Sequence, residues 1–229
     1  DAIVSFADRY DALLVDEAQD FCEHWWIPLE ELLVDRLESH FYVFFDPRQN
    51  IFHRENELPF TEPVLLLDMN CRNTLPIAEF VHDLVGLEAP TLRQSDEGQP
   101  PVVQHVDSDD QERAAMGEVL NELIEEREID PSRIVIVGRF RFENTVFADQ
   151  PELGGVHVVD GAEVVTDPSA VRYVTVYRFK GLEADCALLT GFPADDSRHT
   201  AATYVAASRA RLLLYVFYRD DVAVQRRAG

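Results

Sequence analysis

The stretch Asp11-Ala12-Leu13-Leu14-Val15-Asp16-Glu17-Ala18-Gln19-Asp20 determines how this chain is interpreted. Residues 12–15 are small or apolar and predict a short buried strand, and Asp16 and Glu17 follow at the end of that strand. Two adjacent carboxylates at a strand end can hold Mg²⁺ and polarise a water molecule, which is the chemistry that a nucleotide hydrolase requires. An Asp-Glu pair also occurs by chance in surface turns, and a surface turn is the favoured interpretation of the pair alone. The interpretation as a nucleotide site therefore depends on the whole stretch.

A phosphate-binding loop is the usual companion of such a strand end. That loop needs glycine-rich backbone followed by Gly-Lys-Ser/Thr. The only lysine of this chain is Lys180, which precedes Gly181 and Leu182. The sequence therefore contains one half of an ATPase site, and we expect the other half in another part of a longer protein.

Composition bounds the class of protein. The chain has 229 residues, of which 46% are hydrophobic, and no apolar run is long enough to span a bilayer, so we expect a globular cytoplasmic protein without membrane contact. Its 43 acidic and 20 basic side chains give a net charge of −23, which weakens a nucleic-acid hypothesis. A solvating acidic surface, as in salt adaptation, is the interpretation we favour. Basic segments elsewhere in a longer protein are the alternative.

The three cysteines, Cys22, Cys71 and Cys186, are far apart in the sequence. Their spacing is typical of neither a disulfide framework nor a zinc site. We predict that each is a small buried apolar residue.

Predicted strands and helices alternate along the chain. This pattern favours an α/β fold with a mostly parallel sheet and helices on both faces. A polar, proline-containing segment suggests a domain boundary near residue 62, which gives domains 1–62 and 63–229. The predicted strands are 12–15, 41–45, 64–67, 102–106, 134–137, 156–159, 173–176, 187–190 and 212–217, and the predicted helices are 26–37, 75–84, 109–126 and 200–209.

The opening stretch and four later ones resemble motifs II to VI of the superfamily 1 DNA helicases of the UvrD/Rep/PcrA type, in the order of that family. A single match could be coincidence, but five in order are hard to explain otherwise. Residues 14–20 resemble motif II. The stretches that resemble motifs III, IV, V and VI are, in that order, Phe45-Asp46-Pro47-Arg48-Gln49-Asn50-Ile51-Phe52, Leu67-Asp68-Met69-Asn70-Cys71-Arg72-Asn73, Thr175-Val176-Tyr177-Arg178-Phe179-Lys180-Gly181-Leu182-Glu183 and Tyr204-Val205-Ala206-Ala207-Ser208-Arg209-Ala210.

The resemblance implies a RecA-like P-loop NTPase fold, with the end of a first RecA-like domain followed by an essentially complete second one. It implies ATP and Mg²⁺ as cofactors, and single-stranded DNA or a junction between duplex and single strand as partner. The amino-terminal remainder of the same protein would supply the P-loop, and this chain alone should be inactive. The alternative is a non-catalytic, helicase-like module that binds a protein partner through its acidic surface.

By resemblance, Asp16 holds Mg²⁺ and nucleotide, and Glu17 activates the attacking water. Gln49 links the γ-phosphate and that water to the DNA side, since an amide both donates and accepts. Phe52 offers a ring on which a base can stack. Core packing is an equally good interpretation of Phe52.

Two arginines, Arg72 and Arg209, would stabilise the charge on the transferring phosphoryl group, with Arg209 as an arginine finger. Both would reach ATP across the cleft from the second domain. A surface salt bridge is the alternative for each arginine, and it is the interpretation we give to Arg211, Arg226 and Arg227.

The motif V match supplies two further sets of residues by resemblance. Lys180, Gly181 and Glu183 belong to the nucleotide site, and Gly181 allows a tight turn. Thr175, Tyr177 and Arg178 contact the DNA backbone, although they could equally be plain sheet surface.

The sequence departs from the family at several points. Phe45 replaces a glycine, Cys71 replaces an aromatic residue that stacks on adenine, and Ser208 replaces a threonine. About 100 residues separate Arg72 from Thr175, which is too few for the large helical insertion of the family, so we expect that insertion to be absent.

Overall fold

The computed structural model describes residues 9–52, 58–60, 63–67, 69–88, 91–92, 97–162, 167–194 and 200–219. The chain divides into two compact units, Asp1–Leu67 and Asp68–Gly229. The division falls five residues after the boundary that we predicted between 62 and 63. Arg226 and Arg227 lie outside the described residues.

The first unit is built on two parallel strands, β1 (Ala12–Val15) and β2 (His40–Val43), joined through a short helix, α1 (Trp26–Glu30). Ala12 pairs with His40 and Val15 with Val43, so the carboxyl ends of the two strands lie side by side. Val15, Ala18 and Trp26 form the buried core of this unit. β1 has the bounds that the sequence predicts, but the prediction that it is buried is wrong for Ala12 to Leu14, since Val15 alone of its four residues is buried.

The helix predicted over 26–37 is wrong in its length, because α1 ends at Glu30. The segment that follows α1 enters the interior of the unit at Leu33, which is only 2% exposed. Around it, Tyr10 donates to the carbonyl of Leu32 at 2.8 Å, and Val34 donates to the carbonyl of Tyr10 at 3.0 Å. These long-range bonds replace the local bonds of a longer helix.

The second unit holds most of the structure. Its strands, in chain order, are β3 (Met69–Asn70), β4 (Thr91–Leu92), β5 (Val102–Val106), β6 (Ile134–Gly138), β7 (Glu152–Leu153), β8 (Val156–Asp160), β9 (Val171–Thr175), β10 (Ala184–Phe192) and β11 (Ala210–Arg219). Its helices are α2 (Leu75–Leu84), α3 (Asp109–Asn121), α4 (Val176–Phe179) and α5 (Thr200–Ser208).

Seven of these strands form one sheet in the order β5-β11-β10-β6-β9-β8-β7. Every pairing is parallel except that of β7 with β8, and β3 pairs with β4 separately. The prediction of an α/β fold with a mostly parallel sheet is confirmed.

Side chains alternate between two buried faces along the central strands. Leu188 and Phe217 belong to the core that α3 covers through Met116 and Leu120. Their neighbours Ala187, Leu189 and Val216 are buried on the opposite face, where α5 contacts β10 and β11. Helices therefore cover both faces, as parallel strands with apolar residues on both sides require.

One apolar segment and two cysteines differ from their predicted state. Residues 64–67 were predicted as a strand, but no strand forms there and all four side chains are exposed. Cys71 is exposed and Cys22 is half-buried, so the prediction that each cysteine is buried is confirmed for Cys186 and wrong for the other two. Among the described helices, none combines the length and apolar character needed to cross a membrane.

Candidate functional site

The carboxylate pair lies where the first unit's two strands end. Phe44 donates to the carbonyl of Val15 at 2.8 Å, and Ala18 donates to the carbonyl of Phe44 at 3.0 Å, so the ladder continues past β1. This extension places Asp16 and Glu17 beside the start of the loop that follows β2. The sequence reasoning predicted both carboxylates at this strand end.

Glu17 has an unusual backbone conformation. Its φ of 52° and ψ of 39° lie in the left-handed region, which a residue with a side chain occupies at a cost of about 1–3 kcal/mol. The Glu17 N–H donates to Oδ1 of Asp16 at 2.8 Å. The strand therefore ends in a sharp backbone turn at Glu17.

Gln19 bridges Glu17 to the loop after β2, and the sequence reasoning gave it no role. Its side-chain Oε1 accepts from the backbone N–H of Asp46 at 3.0 Å, and its Nε2 donates to Oε2 of Glu17 at 2.5 Å. A backbone N–H can only donate, so the amide oxygen must face Asp46 and the NH₂ group must face Glu17. Gln19 is 4% exposed, and no local pattern in the sequence could have revealed a bond across 27 positions.

Gln49 joins the same chain of hydrogen bonds from the other side. Its Nε2 donates to Oδ2 of Asp46 at 3.0 Å, while Oδ1 of Asp46 accepts from the N–H of Arg48 at 3.0 Å. Gln49 and Glu17 are thus connected through Asp46 and Gln19. The structure brings the predicted residues of motifs II and III together.

The donor set at this strand end fits Mg²⁺ bound together with a phosphate. Mg²⁺ is usually held by one or two carboxylates and by substrate phosphate oxygens, with water completing its shell. Asp16 is exposed and Glu17 is half-buried. Within the described part of the chain, no group of three or more His, Cys, Asp or Glu side chains has the arrangement of a metal site.

We expect Gln19→Met to loosen the first unit. The substitution keeps the volume of the side chain but removes both bonds, and leaving such buried groups unsatisfied costs about 1–3 kcal/mol. Amide hydrogen exchange should show faster exchange at Asp46, whose N–H bonds to Gln19. Gln150→Met, at an exposed position of the second unit, is the control. Unchanged exchange at Asp46 would contradict the bridge.

Phe52, the predicted stacking residue, follows this site in the chain. It is 43% exposed, whereas its neighbour Ile51 is 4% exposed. Ile51 is therefore the buried residue of the two, and the Phe52 side chain is accessible to solvent.

In the second unit, predicted nucleotide residues meet at the amino edge of the large sheet. Nε of Arg72 donates to Oε2 of Glu183 at 3.1 Å, directly before β10 begins. Arg211 lies within 3.6 Å of Glu183 and 3.2 Å of Asp185. The interpretation of Arg211 as a salt-bridge residue is confirmed, and Glu183 bridges the two arginines.

Arg209 lies at the same edge, in the turn between α5 and β11. Its carbonyl accepts from the N–H of Ala184 at 3.1 Å, and its N–H donates to the carbonyl of Ala206 at 3.4 Å. Arg209 is 3% exposed. Burying a charged guanidinium costs free energy unless the group is paired. Its burial therefore distinguishes Arg209 from an ordinary surface arginine.

The turn predicted at Gly181 is present. Gly181 has a φ of +82°, which favours glycine, and Leu182 donates to the carbonyl of Phe179 at 3.0 Å. Lys180 is half-buried in this turn, and its N–H donates to the carbonyl of Val176 at 3.1 Å. The turn carries the chain from α4 to Glu183.

The predicted DNA contacts lie at the opposite, carboxyl edge of the sheet. Thr175 is the last residue of β9. Its hydroxyl accepts from the N–H of Arg178 at 3.4 Å, and this bond caps the start of α4. Tyr177 is 48% exposed, and Arg178 is also exposed. The structure therefore separates these residues from Arg72, Glu183 and Arg209 by the length of a strand, on the order of 17 Å.

The loop after β6 adds residues that the sequence reasoning missed. Gly138 pairs with Thr175 in the sheet, so Arg139, Phe140 and Arg141 follow beside the start of α4. The Arg139 guanidinium lies 5.4 Å from the centre of the Phe140 ring. The sequence could have revealed that Arg139 and Arg141 lie near Arg178 only if β6 and β9 were known to be neighbours.

The fold and these two units define the class of protein as mixed α/β with a mostly parallel sheet. No family model and no curated protein matches the sequence. Among solved structures, the chain is similar to the C-terminal domain of a possible DNA helicase from Lactobacillus plantarum WCFS1, with a TM-score of 0.51 and 18% identity, over 69% of this chain and 94% of that chain. At this identity, the similarity establishes a shared fold.

Proposed function

We propose that the chain is the carboxy-terminal portion of an ATP-dependent DNA helicase or translocase of superfamily 1. In this proposal the second unit is a RecA-like domain and the first unit is the end of another. The chain of hydrogen bonds from Glu17 through Gln19 and Asp46 to Gln49 is the observation that carries the proposal. These bonds connect Glu17, the predicted general base, to Gln49, the residue predicted to link the γ-phosphate to the DNA side.

ATP hydrolysis would use the carboxylate strand end. Asp16 would hold Mg²⁺, which when bound neutralises phosphate charge and orients the γ-phosphoryl group. Glu17 would accept a proton from the attacking water, and Gln49 would orient that water. The amide of Gln19 fixes the direction of the Glu17 carboxylate.

The amino edge of the second unit's sheet would supply positive charge to the transferring phosphoryl group. Arg72 and Arg209 are the two arginines concerned, and planar guanidinium groups suit phosphate oxygens. Lys180, Gly181 and Glu183 would contribute to the nucleotide site. Glu183 would orient Arg72 through their 3.1 Å contact.

Single-stranded DNA, or its junction with a duplex, would contact the carboxyl edge. Arg139, Arg141 and Arg178 concentrate positive charge there in a chain of net charge −23. Exposed Tyr177 offers a ring for base stacking. In the first unit, the exposed ring of Phe52 would be available for base stacking.

The amino-terminal remainder of a longer protein would complete the first domain and supply the P-loop. A two-stranded sheet is marginal alone, and parallel sheets are normally covered on both faces. Leu14 is 66% exposed and Tyr42 is 52% exposed on the β1 and β2 strands. Additional strands and helices beside this sheet would remove those apolar groups from water.

The proposal is tested by ATP hydrolysis in the full-length protein, with and without a single-stranded oligonucleotide. We expect DNA to stimulate hydrolysis. Glu17→Gln should lower the stimulated kcat by about 10²–10⁴-fold, the contribution of a positioned general base. Glu23→Gln, which removes a nearby exposed carboxylate, should leave kcat unchanged.

Two results would overturn the assignment. Wild-type turnover in Glu17→Gln would remove Glu17 as the base. Absence of hydrolysis in the full-length protein under all conditions would favour the non-catalytic, protein-binding module.

A further inference from the structure

Asn73 joins two segments that are far apart in the sequence. It lies in the loop after β3, and its Nδ2 donates to the carbonyl of Ser208 at 3.0 Å and to the carbonyl of Ala210 at 2.6 Å. These are the carbonyls on either side of Arg209. One side chain thus holds the peptide groups that flank this buried arginine.

Asn70 fixes the orientation of Asn73. Nδ2 of Asn70 donates to Oδ1 of Asn73 at 2.9 Å. Because backbone carbonyls only accept, Asn73 must turn its NH₂ group to Ser208 and Ala210, which leaves its oxygen for Asn70. The hydrogen bonds therefore determine, for both side-chain amides, which end is the oxygen and which is the NH₂ group.

The same Asn70 side chain also holds the backbone at Arg72. Its Oδ1 accepts from the N–H of Arg72 at 2.9 Å and from the N–H of Asn73 at 3.1 Å. The backbone that carries Arg72 is thus tied, through two amides, to the backbone that carries Arg209.

Two further contacts strengthen this connection. The N–H of Thr74 donates to the carbonyl of Arg211 at 3.3 Å. Nε of Arg72 donates to Glu183, which also pairs with Arg211. Thr74 is 5% exposed and Ser208 is 6% exposed, so the junction is largely shielded from water.

We propose that Asn73 is a positioning residue that makes the Arg72 loop and the Arg209 turn one rigid body. This inference rests on the proposed function, in which both arginines serve one transferring phosphoryl group. Two guanidinium groups that must act together gain from a fixed separation, since small misplacements of a catalytic group cost large factors in rate. Asn73 acts through Arg209 and Arg72 and needs no contact with nucleotide.

Asn73→Asp in the full-length protein is the first test. The carboxylate has the size of the amide but no hydrogen to donate, and it would face two carbonyl oxygens. We expect kcat for DNA-stimulated hydrolysis to fall by about 10–100-fold with KM for ATP changed less than about 3-fold, because the loss affects transition-state geometry. Gln150→Glu adds the same charge at an exposed position and should leave both constants unchanged.

A double variant separates positioning from general destabilisation. In an Arg209→Ala background, measured by single-turnover hydrolysis, Asn73→Asp should lower the rate by less than about 3-fold, because Arg72 then has no second guanidinium from which its separation must be fixed. Asn73→Ala removes the same bonds without adding charge and should show the same non-additivity. It replaces the Asp variant if that variant does not fold.

Amide exchange gives a readout that does not depend on ATP. In either Asn73 variant the N–H of Thr74 should exchange faster. Unchanged kcat in both Asn73 variants, or an equal loss with and without Arg209, would overturn this inference alone. Full activity in Arg209→Ala would instead overturn the proposed role of Arg209.

Discussion

Arg209→Ala in the full-length protein should lower kcat for DNA-stimulated ATP hydrolysis by about 10³-fold or more, the range measured for arginine fingers. The physical reason is loss of a planar charge that stabilises the transferring phosphoryl group. Arg209→Lys should restore little activity, because an ammonium cannot make the same paired bonds. Steady-state hydrolysis with saturating ATP and oligonucleotide measures the effect.

Burial makes the controls for Arg209 important. Because Arg209 is 3% exposed, its removal could also destabilise the second unit. Thermal unfolding of each variant separates this effect from a loss of catalysis. Arg36→Ala, at an exposed arginine paired with Glu31 at 2.6 Å, should keep wild-type turnover. A folded Arg209→Ala protein with normal kcat would remove the arginine assignment.

Arg219→Met should destabilise the second unit by about 3–5 kcal/mol, because it leaves a buried carboxylate without its counter-charge. Nη1 of Arg219 lies 2.8 Å from Oε2 of Glu112 and 2.8 Å from Oδ1 of Asp109. Thr190 also bonds to Glu112, which is 2% exposed. At about 2–4 °C per kcal/mol, the midpoint of thermal unfolding should fall by about 10 °C.

The deficit of Arg219→Met should depend on pH. Burial raises the pKa of Glu112 above its ordinary value, although Thr190 and Arg219 bind its carboxylate and oppose the shift. The folded state therefore holds this proton more tightly than the unfolded state. This contribution to stability is complete below the unfolded pKa and is lost as pH rises through the folded pKa. Arg219→Met removes two of the influences that lower the pKa of Glu112, so the pKa rises further in the variant and acid protonates the unpaired carboxylate. The deficit should therefore be smaller at pH 5 than at pH 8.

Two variants test the explanation for Arg219. Arg133→Met removes an exposed partner of Asp185 and should change stability by less than about 1 kcal/mol. Glu112→Met combined with Arg219→Met should recover much of the loss, since apolar residues often replace a buried ion pair without cost. A double variant as unstable as Arg219→Met would show that the unpaired carboxylate is not the cause.

Local patterns predicted much of the fold. β1, α2 and β5 have the predicted bounds, because periodicity and flanking turn residues mark them in the sequence. The helix predicted to reach Leu37 failed where Tyr10 competes for its backbone. The strand predicted over 64–67 failed because an apolar run does not itself provide a neighbouring strand.

The motif resemblance proposed the candidate residues one by one, but it did not predict the hydrogen bonds that connect them. Motif resemblance identified Glu17, Gln49 and Arg72. Gln19 and Asn73, which tie the motifs together, act across 27 and 135 positions respectively. Only a three-dimensional arrangement shows such bonds, because no sequence period relates their partners.

The left-handed backbone of Glu17 has a consequence for protein engineering. Glycine adopts that conformation without the steric cost that a side chain adds, so Glu17→Gly would relieve backbone strain but would also remove the bond that Gln19 donates to Glu17. The turn would remain in place while the carboxylate disappeared. Screens that select stabilised variants should therefore also score the proposed turnover, because Glu17 combines a strained backbone with the proposed catalytic carboxylate.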